Sequence, residues 1–415
     1  MKDIVRSLSS KGFMHIFSAS LINKIVSFGT SFIVVRILSK EAYGAWAYAM
    51  NILNFFLLVE GLGVVPGLLQ YASLSNTRNE KTSFLKLAFL IGLVSNLIVA
   101  IGILLFTCYF ELPIKGSAEI LRMLSFFPVI SIMVNIFQVF LRADFRHKSF
   151  SYLTVFNTVV FMICVIVGGL LYEVKGMVFG KYISVILSIF ISIFILRDYL
   201  TLLKAKLPDL HIIKEFLVFS LISVFNNAVS SILYLLDTFL IGLMIKSETI
   251  IASYKTATLI PFALNFIPSA IMTFAYPYFA KNFNNKDYIK KNYRLILKYS
   301  FIMNSIISSL LIIFAPFVIP TIFGDQYIDS LVPFRILSFG FLIAGTFRIP
   351  AGNILASLKK IKVNFYCTLL SGVLNIILDI FFIRHFGSTG AAVATVIIFI
   401  FSSMISNIAL KVYLK

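Results

Sequence analysis

Long apolar runs, each about 20 residues or more and separated by short polar segments, recur from one end of the chain to the other. A run of that length as a helix crosses about 30 Å of hydrocarbon. Twelve such spans are read at about 13–38, 42–69, 84–110, 118–140, 150–172, 176–196, 215–243, 249–279, 294–320, 329–352, 362–384 and 388–413. Strands of a membrane barrel alternate apolar and polar residues over about ten positions. Stretches such as Phe301–Phe314 and Val393–Phe401 show no such alternation. The fold class expected is therefore an all-α polytopic membrane protein of about twelve transmembrane helices.

Composition agrees. Of 415 residues, 60% are hydrophobic and 13% charged, against about 25% charged in a soluble domain. The first span follows Lys2, Arg6 and Lys11, as a signal peptide would, but it is too long for a cleaved segment and ends on Val35-Arg36-Ile37-Leu38 with no small-residue cleavage site. Cys108, Cys164 and Cys367 lie in or beside apolar runs without a Cys-x-x-Cys pair, and His15, His147, His211 and His385 are scattered. Neither pattern suggests a metal or disulfide.

The net charge of +19 would point a soluble protein toward nucleic acid. Here the charge follows topology instead. With the N-terminus placed in the cytoplasm, inner segments carry 24 Lys and Arg and outer segments carry 8, the latter including Arg122 and Lys181. That asymmetry puts both termini in the cytoplasm by the positive-inside rule, and no nucleic-acid partner is called for.

The chain also repeats. Arg122-Met-Leu-Ser-Phe126 recurs as Arg335-Ile-Leu-Ser-Phe339, 213 residues on. Arg146-His-Lys148 with Tyr152 matches Lys360-Ile-Lys362 with Tyr366 at 214, as Gly176 matches Gly390. Tyr43-Gly44-Ala45-Trp46 falls on Ile251-Ala252-Ser253-Tyr254 at 208. Six spans separate the copies, so both halves share one orientation, the parallel-repeat plan of many transporters. The organisation expected is a six-helix lobe over 1–200, a basic cytoplasmic linker over 201–214 and a second lobe over 215–415.

Several charges fall inside spans, where they are costly and usually face water or a partner. Lys24 lies about 16 Å into the first span at 1.5 Å per residue, as either a structural pair for a carboxylate or a mobile point charge facing a wet cavity. Lys255 and Asp237 sit on consecutive spans, where a salt bridge or a transport role is open. Arg122 and Arg335 hold equivalent places near outer span ends, either snorkelling or forming a cationic vestibule, and Arg348 is nearer the cytoplasmic end of the tenth span. Glu60, about 27 Å along the second span from its outer end, is a candidate proton site or a neutraliser of a cation. Asp379 receives no role. Gly61-Leu-Gly63 lacks the setting of a nucleotide fingerprint; no catalytic residue, metal site or cofactor is expected.

Leu38-Ser-Lys-Glu-Ala-Tyr43-Gly44-Ala-Trp-Ala-Tyr, running on to Val59-Glu60-Gly61-Leu-Gly63, resembles the opening signature of polysaccharide-export proteins. Asp237-Thr-Phe-Leu-Ile-Gly242 with Ala252-Ser-Tyr254-Lys-Thr-Ala257, and Pro277 beyond it, resemble the start of their second half. Asn375-Ile-Ile-Leu-Asp379, Phe386-Gly387 and Thr389-Gly390-Ala-Ala-Val-Ala-Thr395 look like the closing signature. The family is that of the Wzx-type O-antigen and capsule repeat-unit flippases of the multidrug/oligosaccharidyl-lipid/polysaccharide (MOP) exporter superfamily. The resemblance implies two six-helix lobes around a central cleft lined by spans 1, 2, 7 and 8, alternating access, and residence in the bacterial inner membrane. It implies transfer of an undecaprenyl-diphosphate-linked oligosaccharide from inner to outer leaflet, with protons or sodium as candidate coupling ions and the pathway's polymerase and chain-length proteins as candidate partners. Drug exporters and the lipid II flippase share the architecture. A small-cation exporter would want an acidic lumen, whereas Lys24, Lys255, Arg335 and Arg348 outnumber Glu60 and Asp237. A membrane-embedded polymerase or ligase would need a longer outer loop than about 110–118 provides.

Overall fold

The computed structural model describes residues 13–199 and 205–414. Lys2, Arg6, Lys11, Lys204 and Lys415, all counted as inner charges, lie outside the described residues. Among those described, the secondary structure is helical, with no strand. The helices are α1 (Phe13–Ile37), α2 (Lys40–Leu74), α3 (Arg78–Tyr109), α4 (Ser117–Met123 and Phe127–Ala143), α5 and α6 (His147–Ile195, divided at 172–173), α7 (Leu210–Ile245), α8 (Glu248–Lys281), α9 (Lys286–Ile322), α10 (Asp325–Ser357), and α11 and α12 (361–386 and 388–414). Twelve helices are thus described, as the hydropathy pattern requires, and the chain is a multi-pass membrane protein.

Breaks fall where the sequence supplies unusual backbone. The turn between α5 and α6 is made at Glu173, with φ 49° and ψ −132°, and that between α11 and α12 at Gly387, with φ 58° and ψ −138°. The two positions are 214 residues apart and hold nearly the same conformation. Phe145 (φ 57°) and Lys359 (φ 61°), before α5 and α11, are likewise 214 apart. Earlier landmarks keep the other spacing. Ser39 caps α2 by accepting from the Ala42 N–H, and Ser247 caps α8 by accepting from the Ile250 N–H. Thr77 and Asn285 cap α3 and α9 in the same manner, and Gly116 and Gly324 turn into α4 and α10 with positive φ. All three pairs are 208 apart. The change of spacing is accounted for by the short 3-10 segment Asp325–Ser330 at the head of α10, where α4 starts directly at Ser117.

Equivalent small residues do equivalent packing. A Cβ on Gly176 would collide with the carbonyl of Gly168, and one on Gly390 with the carbonyl of Phe382, again at an offset of 214. These glycines let α6 fold back closely on α5, and α12 on α11.

The chain divides into two compact units, one of 13–42 with 49–228 and one of 43–48 with 229–414. In the first, Val64, Leu68, Phe84, Leu85, Ile132, Ile136 and Phe140 form the core, joined by Phe216 from the start of α7. The rings of Tyr71, Phe84 and Phe216 lie with centroids 5.5–6.1 Å apart. In the second, Met272, Phe279, Ile289, Ile354, Leu355 and Leu410 are buried together. Many other large apolar side chains remain exposed, among them Phe190, Phe194, Phe317 and Phe381; in a membrane protein, lipid covers such surface.

Candidate functional site

Two polar sites are built into the units, each beside a helix irregularity. In the first unit, α2 does not run on as one helix. It stops at Leu57 and passes through Gly61 (φ 58°), Leu62 (φ 49°) and Gly63 (φ 78°) before resuming at Val64. Left-handed backbone costs roughly 1–2 kcal/mol at a residue with a Cβ, so glycine at two of the three positions is what makes the break tolerable. The break lies just past Glu60, so the helix is regular up to Leu58 and departs from α geometry only beyond it. The Glu60 carboxylate stands at the edge of the break and accepts from Ser131 Oγ at 3.2 Å and Asn135 Nδ2 at 3.4 Å, both on α4. Asn96 of α3 stabilises the break from behind. Its Oδ1 accepts from the Gly61 N–H, and its Nδ2 donates to the Pro128 carbonyl, both at 3.0 Å.

The second site lies in the second unit. Asp237 on α7 is 5% exposed and Asp379 on α11 is fully buried. Oδ2 of Asp237 accepts from the Tyr254 hydroxyl at 2.5 Å and the Thr395 hydroxyl at 2.6 Å. Oδ2 of Asp379 accepts from Asn375 Nδ2 at 2.9 Å. The two carboxyl groups are close enough for their charges to interact, and among the described residues Oδ1 of each is buried without a hydrogen-bond donor. Two negative charges so close in a dry setting would repel, which makes the pair a place where a small cation could be favoured. An all-oxygen donor set suits a hard cation, not a thiophilic metal. Among the described residues no group of three His, Cys, Asp or Glu is placed to hold a metal ion.

Next to this pair stands Arg348, at the end of a π-helical segment in α10, Ala344–Arg348. Its Nη1 donates to the Tyr234 hydroxyl at 3.3 Å, and its guanidinium lies 5.2 Å from the Phe399 ring centre. Tyr234 and Arg348 line both a small cleft shared with Asp237, Asn375 and Thr395 and a cavity of about 350 Å3 between α10, α11 and α12.

The remaining sequence candidates are placed as follows. Lys24 is exposed on α1, and among the described residues no carboxylate lies within 4 Å of its ammonium, so the structural pair is not formed. Lys255 is near enough to Asp237 for their charges to interact, but the direct salt bridge is also absent. Tyr254, one position earlier on α8, takes the carboxylate instead. Arg122 and Arg335 do equivalent work, donating at 3.1 Å to the carbonyls of Thr107 on α3 and Ile312 on α9. Lys181, counted from sequence as an outer charge, is 5% exposed inside α6, with its ammonium 4.5 Å from the Phe127 ring centre and 5.2 Å from that of Phe161. Sequence reasoning missed Lys181 and Asp379. For Asp379 a signal existed, since Asn375 and Asp379 are one helical turn apart and share a face.

Residues 33–333 match the family described as "Polysaccharide biosynthesis protein". The chain belongs to that family. The expected kinship with polysaccharide-export proteins is thereby borne out. No curated protein gives a significant match. Among solved structures, an inward-facing multidrug resistance MATE family transporter of the MOP superfamily superposes with a TM-score of 0.77 at 12% identity, covering 97% of this chain and 98% of that one. The lipid II flippase MurJ, in an inward closed conformation, gives 0.74 at 16% identity over 95% of this chain and 87% of that one. A MOP superfamily transporter from Pyrococcus furiosus, whose binding pocket is described as of reversed polarity, gives 0.59 at 15% identity over 97% and 93%. The family member described here therefore has the MOP transporter fold.

Proposed function

We propose that this membrane protein is a Wzx-type flippase of the bacterial inner membrane. It moves an undecaprenyl-diphosphate-linked oligosaccharide repeat unit from the inner to the outer leaflet by alternating access, for O-antigen or capsule assembly. The observation that carries this reading is the family match over residues 33–333 on a transporter fold built from two repeated six-helix halves. Family supplies the polysaccharide and fold supplies the transport. In the proposal, Lys24, Lys255, Arg122, Arg335 and Arg348 favour the anionic carrier diphosphate, and Lys24 is its mobile cation, lacking the fixed fork of arginine. Glu60 and the Asp237–Asp379 pair are the candidates for coupling to protons or sodium. Both termini lie in the cytoplasm, and the pathway's polymerase and chain-length proteins are the expected partners.

The test is complementation of surface-polysaccharide display in a flippase-deficient strain, with membrane protein level followed in parallel. Lys24→Arg retains display, while Lys24→Ala and Lys24→Glu lose it, glutamate most severely because it repels the diphosphate in a low-dielectric site. Normal display by Lys24→Ala at normal protein level removes Lys24 from the transport path. A second reading has one observation in its favour: the fold likeness to the lipid II flippase. Rescue of cells depleted of their lipid II flippase, without rescue of surface polysaccharide, selects it.

A further inference from the structure

The cavity of about 350 Å3 in the second unit has an unusual chemistry for space inside a membrane helix bundle. It falls at the small end of the range of about 300–1,000 Å3 typical of ligand pockets, so it holds one ring or one anionic group, not a whole repeat unit. Its walls come from α10, α11 and α12, with Tyr234 of α7 at one end.

The polar groups on those walls include acceptors to which, among the described residues, no protein donor is directed. Asn353 uses one N–H of its Nδ2 on the Ile349 carbonyl at 2.9 Å, and Asn364 uses one N–H of its Nδ2 on the Gly352 carbonyl at 2.8 Å. Turning either amide over would set Oδ1 against a carbonyl oxygen, so the assignment is fixed by its partners. Among the described residues no protein donor reaches either Oδ1. The Ser371 hydroxyl, on a residue only 1% exposed, is buried with no hydrogen-bond partner. Such a group costs about 1–3 kcal/mol when left unsatisfied.

The fixed cationic donor is Arg348. Its guanidinium makes one hydroxyl contact, to Tyr234, and otherwise lies near rings. Among the described residues no carboxylate is within 4 Å of it. A guanidinium carries five N–H donors in a fork that fits a carboxylate.

An inorganic phosphate would satisfy Arg348 but carries at most two hydroxyls, fewer donors than a sugar ring offers to the two amide oxygens. A neutral sugar would satisfy the amides with its hydroxyls but leave the guanidinium unmatched. We propose that this cavity is a subsite for a single acidic sugar residue, with its carboxylate on Arg348 and Tyr234 and its hydroxyls donating to Asn353 and Asn364. The assignment rests on the polysaccharide reading above, reassigns Arg348 from the carrier diphosphate to the sugar, and adds the class of sugar that the second unit accepts.

The experiment uses the full-length protein in detergent micelles, with free D-glucuronate, D-glucose and inorganic phosphate as probes and saturation-transfer NMR as the readout. Glucuronate saturates in the millimolar range, and glucose gives a signal at least fivefold weaker. Equimolar phosphate does not displace glucuronate. Arg348→Gln lowers the glucuronate signal at least fivefold and leaves the glucose signal unchanged. Ser371→Leu, which fills the cavity, lowers both. Variants are compared only where they elute as monodisperse protein; if Arg348→Gln does not, Ser371→Leu and the charge-retaining Arg348→Lys carry the test, with the leucine variant losing glucuronate and the lysine variant keeping it. The inference is overturned if the folded wild type shows no glucuronate signal, if neither variant changes it, or if phosphate displaces glucuronate equally. Each of these, found alongside intact complementation by the wild type, refutes the subsite and leaves the flippase reading standing; failed complementation by the wild type refutes that reading instead.

Discussion

Thr395 on α12 donates a 2.6 Å hydrogen bond to Oδ2 of Asp237 on α7, 158 residues earlier in the chain. With Tyr254 bonded to the same oxygen, α8 and α12 are both tied to α7 through one carboxylate, and Asp379 of α11 interacts with it electrostatically. If the carboxylate pair couples transport to a cation, Asp237→Asn and Asp379→Asn lower polysaccharide display tenfold or more with protein level within twofold of wild type. Equal display by both variants rules the pair out as the coupling site.

Thr395→Val separates structure from coupling. It keeps the shape of the side chain but removes the hydroxyl donor, which costs about 1–3 kcal/mol when a buried acceptor is left bare. The expected result is a lower thermal midpoint in detergent, read by size-exclusion after heating. An unchanged midpoint means that Tyr254 alone satisfies Asp237.

The break in α2 gives a backbone prediction. Gly61 and Gly63 have φ of 58° and 78°, and an added Cβ at Gly63 also meets the backbone of Ser220. Gly61→Ala costs about 1–2 kcal/mol from conformation alone, and Gly63→Leu costs more because packing is added to strain. Heating curves in detergent should rank wild type above Gly61→Ala and Gly61→Ala above Gly63→Leu. If both variants match wild type, the left-handed turn is not required for stability.

The internal repeat predicts paired effects. Gly176→Leu and Gly390→Leu each push a side chain into a carbonyl, of Gly168 and Phe382 respectively. Each should reduce the yield of folded protein severalfold, whereas Gly102→Leu, with only one atom within 4 Å of the added Cβ, should not. A large loss at one member of the pair and none at the other would show that the two hairpins are not held in the same way.

Orientation is tested by labelling single cysteines in intact cells. With both termini cytoplasmic, cysteines introduced at Lys286 and Lys359 stay unlabelled by an impermeant maleimide until the membrane is opened. Labelling of both from outside reverses the topology.

The sequence by itself determined the number and order of membrane helices, because lipid offers no hydrogen-bond partners and each crossing must be a long apolar run. It also determined the repeat, down to a spacing that changes from 208 to 214, since matched turns and caps need matched residues. Tertiary structure alone decided which charges meet. Asp237 and Lys255 are neighbours by helix order, yet rotation about α8 presents Tyr254 to the carboxylate, and Asp379 joins it from 142 residues away. Likewise, Lys181 reads as an outer charge in a linear census but is buried between two rings. Hydropathy averages over a whole turn of helix, whereas a site depends on which face of that turn each side chain occupies, and that is fixed only when helices pack.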